Sequence, residues 1–125
     1  ARTTGMVPTL LFKNDEPFMI LGALGGSVII SAVLQTILNI VDFGMSPMEA
    51  VSVPRIHSEG DFVHLEARVE SSQIAVLESF GHKIKKSPYS FDPMMARCHV
   101  ILKDKKSWKA GADPRSGGGV AFARV

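Results

Sequence analysis

Between Pro17 and Val41 the chain carries no charged residue, and two adjacent glycines divide that run. The stretch Gly22-Ala23-Leu24-Gly25-Gly26-Ser27 closes an apolar strand-like segment, and an apolar helical pattern starts directly behind it. A strand, a Gly-Gly turn and the N-terminus of a buried helix account for this order. Glycine lets consecutive backbone N–H groups point the same way with no side chain in front of them. A helix N-terminus adds partial positive charge at that place. Gly25 and Gly26 are therefore candidate donors to an oxyanion or a carboxylate. The plain alternative is a tight turn that packs a helix on a strand. The run is also long enough to cross a bilayer, but Ser27, Ser31, Gln35, Thr36 and Asn39 interrupt it, and neither an aromatic belt nor a Lys/Arg cluster marks its ends.

The flanking sequence supports the strand-turn-helix reading. Thr9–Lys13 and Phe18–Gly22 are short apolar runs around the turn cluster Asn14-Asp15-Glu16-Pro17, which predicts a β-hairpin. From Ser27 to Phe43, Ile30, Val33, Leu34, Ile37, Leu38 and Val41 recur at helical spacing. Ile29, Ile40 and Phe43 widen that stripe, which predicts a helix buried between layers and stopped at Gly44. Ser46-Pro47-Met48-Glu49 predicts a second helix with an S-x-x-E capping box, ended by Pro54. Phe62–Glu66 alternates as a strand, Ser71-Ser72 caps a third helix through Phe80, and His82–Lys86 is a further strand. Arg97–Lys103 and Ser107–Ala112 form a second hairpin around Asp104-Lys105. Hairpins that feed buried helices predict one layered domain with an antiparallel sheet.

Composition excludes several classes. A chain of 125 residues with 46% hydrophobic residues is one packed domain at most. The net charge of +2 comes with one Trp, one Tyr and seven Phe, and the lysines cluster only at Lys83–Lys86 and Lys103–Lys106. A nucleic-acid surface needs a longer basic face with interleaved aromatics. The single cysteine, Cys98, excludes an internal disulfide and a cysteine zinc site, and its strand-like surroundings make it a buried structural thiol. The chain opens Ala1-Arg2-Thr3-Thr4-Gly5 without a methionine or the apolar core of a signal peptide, so it reads as a fragment or a processed piece, and its compartment stays open.

The remaining candidates point to structure more than to chemistry. His57, His64, His82 and His99 have no metal-like spacing. Asp113-Pro114-Arg115 suits an arginine–carboxylate clamp, and Ser116-Gly117-Gly118-Gly119 lacks the ending of a phosphate-binding loop. Met45, Met48, Met94 and Met95 read as core or rim filler.

Taken in order, these segments resemble the C-terminal part of the small subunit of γ-glutamyltranspeptidases and related acylases. Thr4-Gly5-Met6-Val7-Pro8-Thr9 resembles the family's S-S-M-S-P-T, and Gly22–Ser27 resembles G-S-P-G-G-S. Val33-Leu34-Gln35 with Asp42-Phe43-Gly44-Met45 resembles V-L-Q and D-F-G-M, and Glu49-Ala50 resembles E-A. Pro54-Arg55-Ile56-His57 resembles P-R-F-H, Gly81-His82-Lys83 resembles G-H-K, and Ala112-Asp113-Pro114-Arg115 resembles S-D-P-R. The similarity runs over nearly all of residues 1–125.

The resemblance implies an α+β fold, part of a four-layer αββα N-terminal nucleophile hydrolase sandwich with antiparallel sheets. It implies transfer or hydrolysis of γ-glutamyl or related amides by an N-terminal threonine, exposed by self-cleavage, whose own α-amine acts as base. Gly25 and Gly26 would form the oxyanion hole, and Thr4 with Gly5 would border the acyl pocket. The nucleophile is not in this chain: Thr3-Thr4 falls in the substrate-binding segment, preceded by Ala1-Arg2. The implied partners are the large subunit and an upstream nucleophile-bearing segment of the same precursor, with no nucleic acid and no membrane. No metal or organic cofactor is implied. The family's second serine is Gly5 here, and losing one charge-assisted hydrogen bond costs ~1.5–3 kcal/mol. A related acylase with another acyl group and a non-catalytic homologue therefore stay open beside γ-glutamyl chemistry.

Overall fold

The computed structural model describes residues 5–123. Its larger sheet is antiparallel. Strand β1 (Thr9–Lys13) pairs with β2 (Glu16–Leu24), β2 with β6 (Arg97–Asp104), and β6 with β7 (Ser107–Gly111), giving the order β1-β2-β6-β7. Asn14 and Asp15 turn the first hairpin with φ of 52° and 61°, the left-handed pair that matches strand twist in two-residue hairpins. β2 is longer at both ends than the Phe18–Gly22 run. Pro17 pairs opposite Phe12 beside a register shift at Leu11/Phe12, where the missing proline N–H does least harm. At the other end Ala23 and Leu24 continue the ladder against Cys98 and Arg97.

Alternation sets which face is covered. Met19, Leu21 and Ala23 of β2 and Cys98 and Val100 of β6 point inward, while Ile20 and Ile101 stay partly exposed on the other face. Helix α1 (Val28–Val41) lays Ile29, Ala32, Val33 and Ile40 on the inward set, and α2 (Pro47–Ser52) adds Ala50 and Val51. Each fully buried aliphatic side chain of this kind contributes ~1.5–3 kcal/mol. Thr36 is buried among them, and its hydroxyl donates to the Ala32 carbonyl at 2.8 Å. The capping box forms as the sequence predicts: Ser46 N donates to Glu49 Oε2 at 2.8 Å, and Glu49 N to Ser46 Oγ at 3.4 Å.

Two expectations need correction. The apolar stripe of α1 does not place the helix between two layers of this chain. Ile30, Leu34, Leu38 and Val41 form an outer face that stays exposed, because only the sheet side finds a partner here. The second sheet is also not purely antiparallel. Strands β3 (Ile56–Ser58) and β4 (Val63–Leu65) are antiparallel, but β4 and β5 (Ile84–Lys86) run parallel. The chain between them crosses back through α3 (Ser71–Ser79), and a crossover of that length permits parallel pairing. The cap of α3 falls at Glu70, one residue before the serines, with Glu70 N donating to Gln73 Oε1 at 3.4 Å. A short 3-10 turn, Pro93–Met95, leads into β6.

Candidate functional site

The turn between β2 and α1 is built from the two glycines. Gly25 has φ of 143° and Gly26 φ of 77°, conformations that side chains disfavour. The Gly26 carbonyl accepts from Ile29 N at 3.1 Å, which starts the helix. Ser27 makes no side-chain cap bond. Among the described residues, the N–H groups of Gly25 and Gly26 have no backbone acceptor in this turn. Both donors sit at the positive end of a 14-residue helix.

These glycines open into a cleft of about 610 Å³ that is also lined by Ser27, His57, Glu59, His64, Lys85, Tyr89, Asp92, Met94 and Met95. Strand β3 brings His57 to the floor, where its Nδ1 lies 2.8 Å from Ser31 Oγ and its Nε2 3.3 Å from Glu59 Oε1. Hydrogen bonding from Ser27, together with the charge of His57, holds the Glu59 carboxyl below the usual carboxylate range. The cleft therefore joins an anion-favouring backbone turn to a rim bearing both signs of charge. Among the described residues, no group of three or more His, Cys, Asp or Glu is placed to hold a metal ion.

Behind the cleft lies a buried ion network. Arg55, Glu66, Asp113 and Arg115 are each at most 6% exposed. Arg55 Nη1 lies 2.7 Å from Asp113 Oδ2, Arg115 Nη1 lies 3.1 Å from Asp113 Oδ1, and Arg115 Nη2 lies 2.5 Å from Glu66 Oε2. Backbone donors complete both carboxylates: Cys98 N donates to Asp113 at 2.7 Å, Asp92 N to Glu66 at 2.7 Å and Arg55 N to Glu66 at 2.9 Å. Burial pulls the Arg55 guanidinium below its ordinary value, and the charge of Arg115 adds to that shift. Burial acts on Arg115 the same way, but the hydrogen bonds and charges of Glu66 and Asp113 outweigh it and leave Arg115 above its ordinary value. Burial also pushes the Cys98 thiol up, so it stays protonated.

Of the residues the sequence singles out, Gly25, Gly26, His57 and His64 meet at the cleft. Gly5 is exposed and is not among the described residues lining it, and Thr4 lies outside the described residues. Asp113 and Arg115 form the clamp that their spacing suggests. Glu59 and Tyr89 escape sequence reasoning because isolated loop residues carry no period. Glu66 escapes it because a glutamate ending an alternating strand reads as solvent-facing. Pro93–Ala96 escapes it because only the two methionines draw the eye there.

The family model described as Gamma-glutamyltranspeptidase matches residues 2–123. The glutathione hydrolase proenzyme of Bacillus subtilis (strain 168) is 41% identical over 86 residues, covering 68% of this chain and 15% of that protein. The acylase ACY 1 proenzyme of Pseudomonas sp. (strain V22) is 33% identical over 124 residues, covering 96% of this chain and 22% of that protein. The chain thus spans less than a quarter of the length of either relative. A gamma-glutamyltranspeptidase structure from Helicobacter pylori superposes with a TM-score of 0.80 at 31% identity over 93% of this chain and 62% of that chain. The cephalosporin acylase from Bacillus halodurans gives a TM-score of 0.85 at 28% identity over 93% of this chain and 22% of that chain.

Proposed function

The chain belongs to the gamma-glutamyltranspeptidase family, and from that premise we propose that it supplies the oxyanion hole and part of the acyl pocket of an amide-cleaving N-terminal nucleophile hydrolase. In this reading residues 1–125 are the C-terminal part of the small subunit. The nucleophilic threonine comes from an upstream segment of the same precursor, and a large subunit completes the assembly. The threonine hydroxyl attacks the amide carbonyl carbon while its α-amine takes the proton. Negative charge gathers on the carbonyl oxygen, and the Gly25 and Gly26 N–H groups donate to it. Collapse of the tetrahedral species expels the amine, which takes the proton back, and leaves an ester on the threonine. Water or an acceptor amine then releases the acyl group through the same oxyanion.

The observation that carries this reading is the pair of cleft-lining glycines at the start of α1 whose N–H groups have no backbone acceptor among the described residues. Such donors aimed at developing charge are worth most in a water-poor site. The exposed outer face of α1 (Ile30, Leu34, Leu38 and Val41) supports the need for further segments of the precursor. The substrate is an amide of the γ-glutamyl type or of another acyl group. The second option is favoured by Gly5 in place of a serine and by the acylase relative that covers almost the whole chain.

The test uses the full precursor after self-cleavage, with γ-glutamyl p-nitroanilide and glutaryl p-nitroanilide as probes. Gly26→Val should lower kcat by about 10²–10³, or ~2.7–4 kcal/mol of transition-state stabilisation, with a smaller change in KM. Unchanged kcat in a folded, processed variant sinks the oxyanion assignment. Preference for one probe over the other separates the two acyl classes.

A further inference from the structure

Ala96 holds a backbone conformation that is nearly reserved for glycine, with φ of 60° and ψ of 172°. It is fully buried. Such an outlier persists only where the surroundings over-determine it, and here they do so at both ends of one turn. At the start of the turn, Asp92 N donates to Glu66 Oε1 at 2.7 Å, and the Asp92 carboxylate accepts from Met94 N at 2.8 Å. At its end, Arg55 Nη1 donates to the Met95 carbonyl at 3.3 Å and to the Ala96 carbonyl at 3.1 Å. Arg55 Nη2 is left buried with no acceptor among the described residues. Its guanidinium is therefore spent on holding these carbonyls and Asp113 rather than on satisfying itself.

The strained residue presses on the candidate oxyanion turn. A Cβ built on Gly25 would fall 2.8 Å from Ala96 Cα and 2.9 Å from Ala96 Cβ, well inside the contact distance of non-bonded carbons. Gly25 is thus confined from one side by Ala96, and Ala96 is confined by Arg55. We propose that Arg55 and Ala96 are positioning residues for the Gly25–Gly26 donors, acting through the contact between the Ala96 backbone and Gly25. The catalytic part of this inference rests on the oxyanion reading; the mechanical part does not. Neither residue touches the reacting atoms. Their effect is to hold two N–H groups at one angle, and small misplacements of catalytic groups are costly.

Ala96→Gly in the full, self-cleaved protein separates positioning from bulk stability. Glycine relieves the backbone strain and removes the methyl facing Gly25. The thermal midpoint should hold or rise, while amide exchange at residues 24–28 quickens about tenfold and kcat on γ-glutamyl p-nitroanilide falls about tenfold at constant KM. Arg55→Lys, which keeps the charge but replaces the planar guanidinium whose Nη1 reaches both carbonyls, should shift exchange and kcat in the same direction. Unchanged exchange at 24–28 in Ala96→Gly overturns the clamp. Faster exchange with unchanged kcat keeps the clamp but overturns its catalytic role, while Gly26→Val decides the oxyanion reading separately. A lowered midpoint with uniformly faster exchange makes Ala96 a packing residue and also overturns the proposal.

Discussion

The four-stranded sheet with α1 and α2 and the three-stranded sheet with α3 are held together by different forces. The first region closes around an apolar set that includes Met19, Ile29, Val51 and Val100. In the second, no residue of α3 is buried, and the fully buried large side chains are Leu65 and Glu66. Glu66 binds Arg115, which also donates to the Val51 and Val53 carbonyls at 2.8 and 2.9 Å and so reaches the end of α2. The small sheet is therefore fastened to the core by buried ion pairs together with the neutral hydrogen bonds between Gln35 and Ile56. Since that sheet supplies one wall of the cleft, the ion network sets how the wall meets the Gly25–Gly26 turn. Buried ion pairs add little net stability over apolar packing, but breaking one strands its partners.

The largest effect should follow from striking the charged fastening. Glu66→Ala leaves Arg115 with Asp113 as its remaining carboxylate partner and the Arg55 and Asp92 N–H groups without their acceptor, and should cost ~3–5 kcal/mol in denaturant unfolding of the full protein. Exchange should rise first in residues 56–95. If β2 and α1 loosen equally early, the two regions are one cooperative unit and the contrast fails. Met19→Ala attacks the apolar region instead and should cost ~2–4 kcal/mol, with exchange rising in β1, β2 and β6. Adding Met19→Ala to Glu66→Ala should give a near-additive loss if the regions are independent. Ser46→Ala removes only the cap of α2 and should cost ~1 kcal/mol.

The smallest effect is a pH signature of that same cap. Hydrogen bonding from Ser46 holds the Glu49 carboxyl below the ordinary glutamate range. A depressed folded-state value means that the carboxylate adds stability above the unfolded-state value and loses it as pH falls through the folded one. Glu49→Gln should therefore be slightly less stable than the natural protein at neutral pH. The gap should close in acid, as followed by thermal midpoints across pH. A gap that widens in acid contradicts the capping role.

How legible the two regions are follows from the same contrast. The hairpins, α1 and the capping box of α2 are written in local codes: alternation, a 3.6-residue stripe, and Ser46 three residues before Glu49. The second region depends on partners distant in sequence. β3 has three residues and no alternation, so its pairing with β4 alone defines it. Parallel β5 needs the α3 crossover, and Glu66 meets Arg115 only in the fold. Gly25 and Gly26 are readable because glycine pairs ahead of an apolar helix are uncommon in a plain strand. The contact of Ala96 with Gly25 is unreadable, since an alanine with positive φ leaves no mark on sequence. The outer stripe of α1 is legible as apolar, but whether it is covered is not encoded in the stripe.

In the proposed reaction Gly25 and Gly26 donate together to the reacting oxygen. A crystal structure of the self-cleaved full protein, trapped with a γ-glutamyl or glutaryl phosphonate that mimics the tetrahedral species, tests it most directly. One phosphonate oxygen should lie about 2.7–3.1 Å from both the Gly25 and Gly26 nitrogens. A bound tetrahedral centre whose oxygens all turn away from that pair, toward water or other donors, would contradict it.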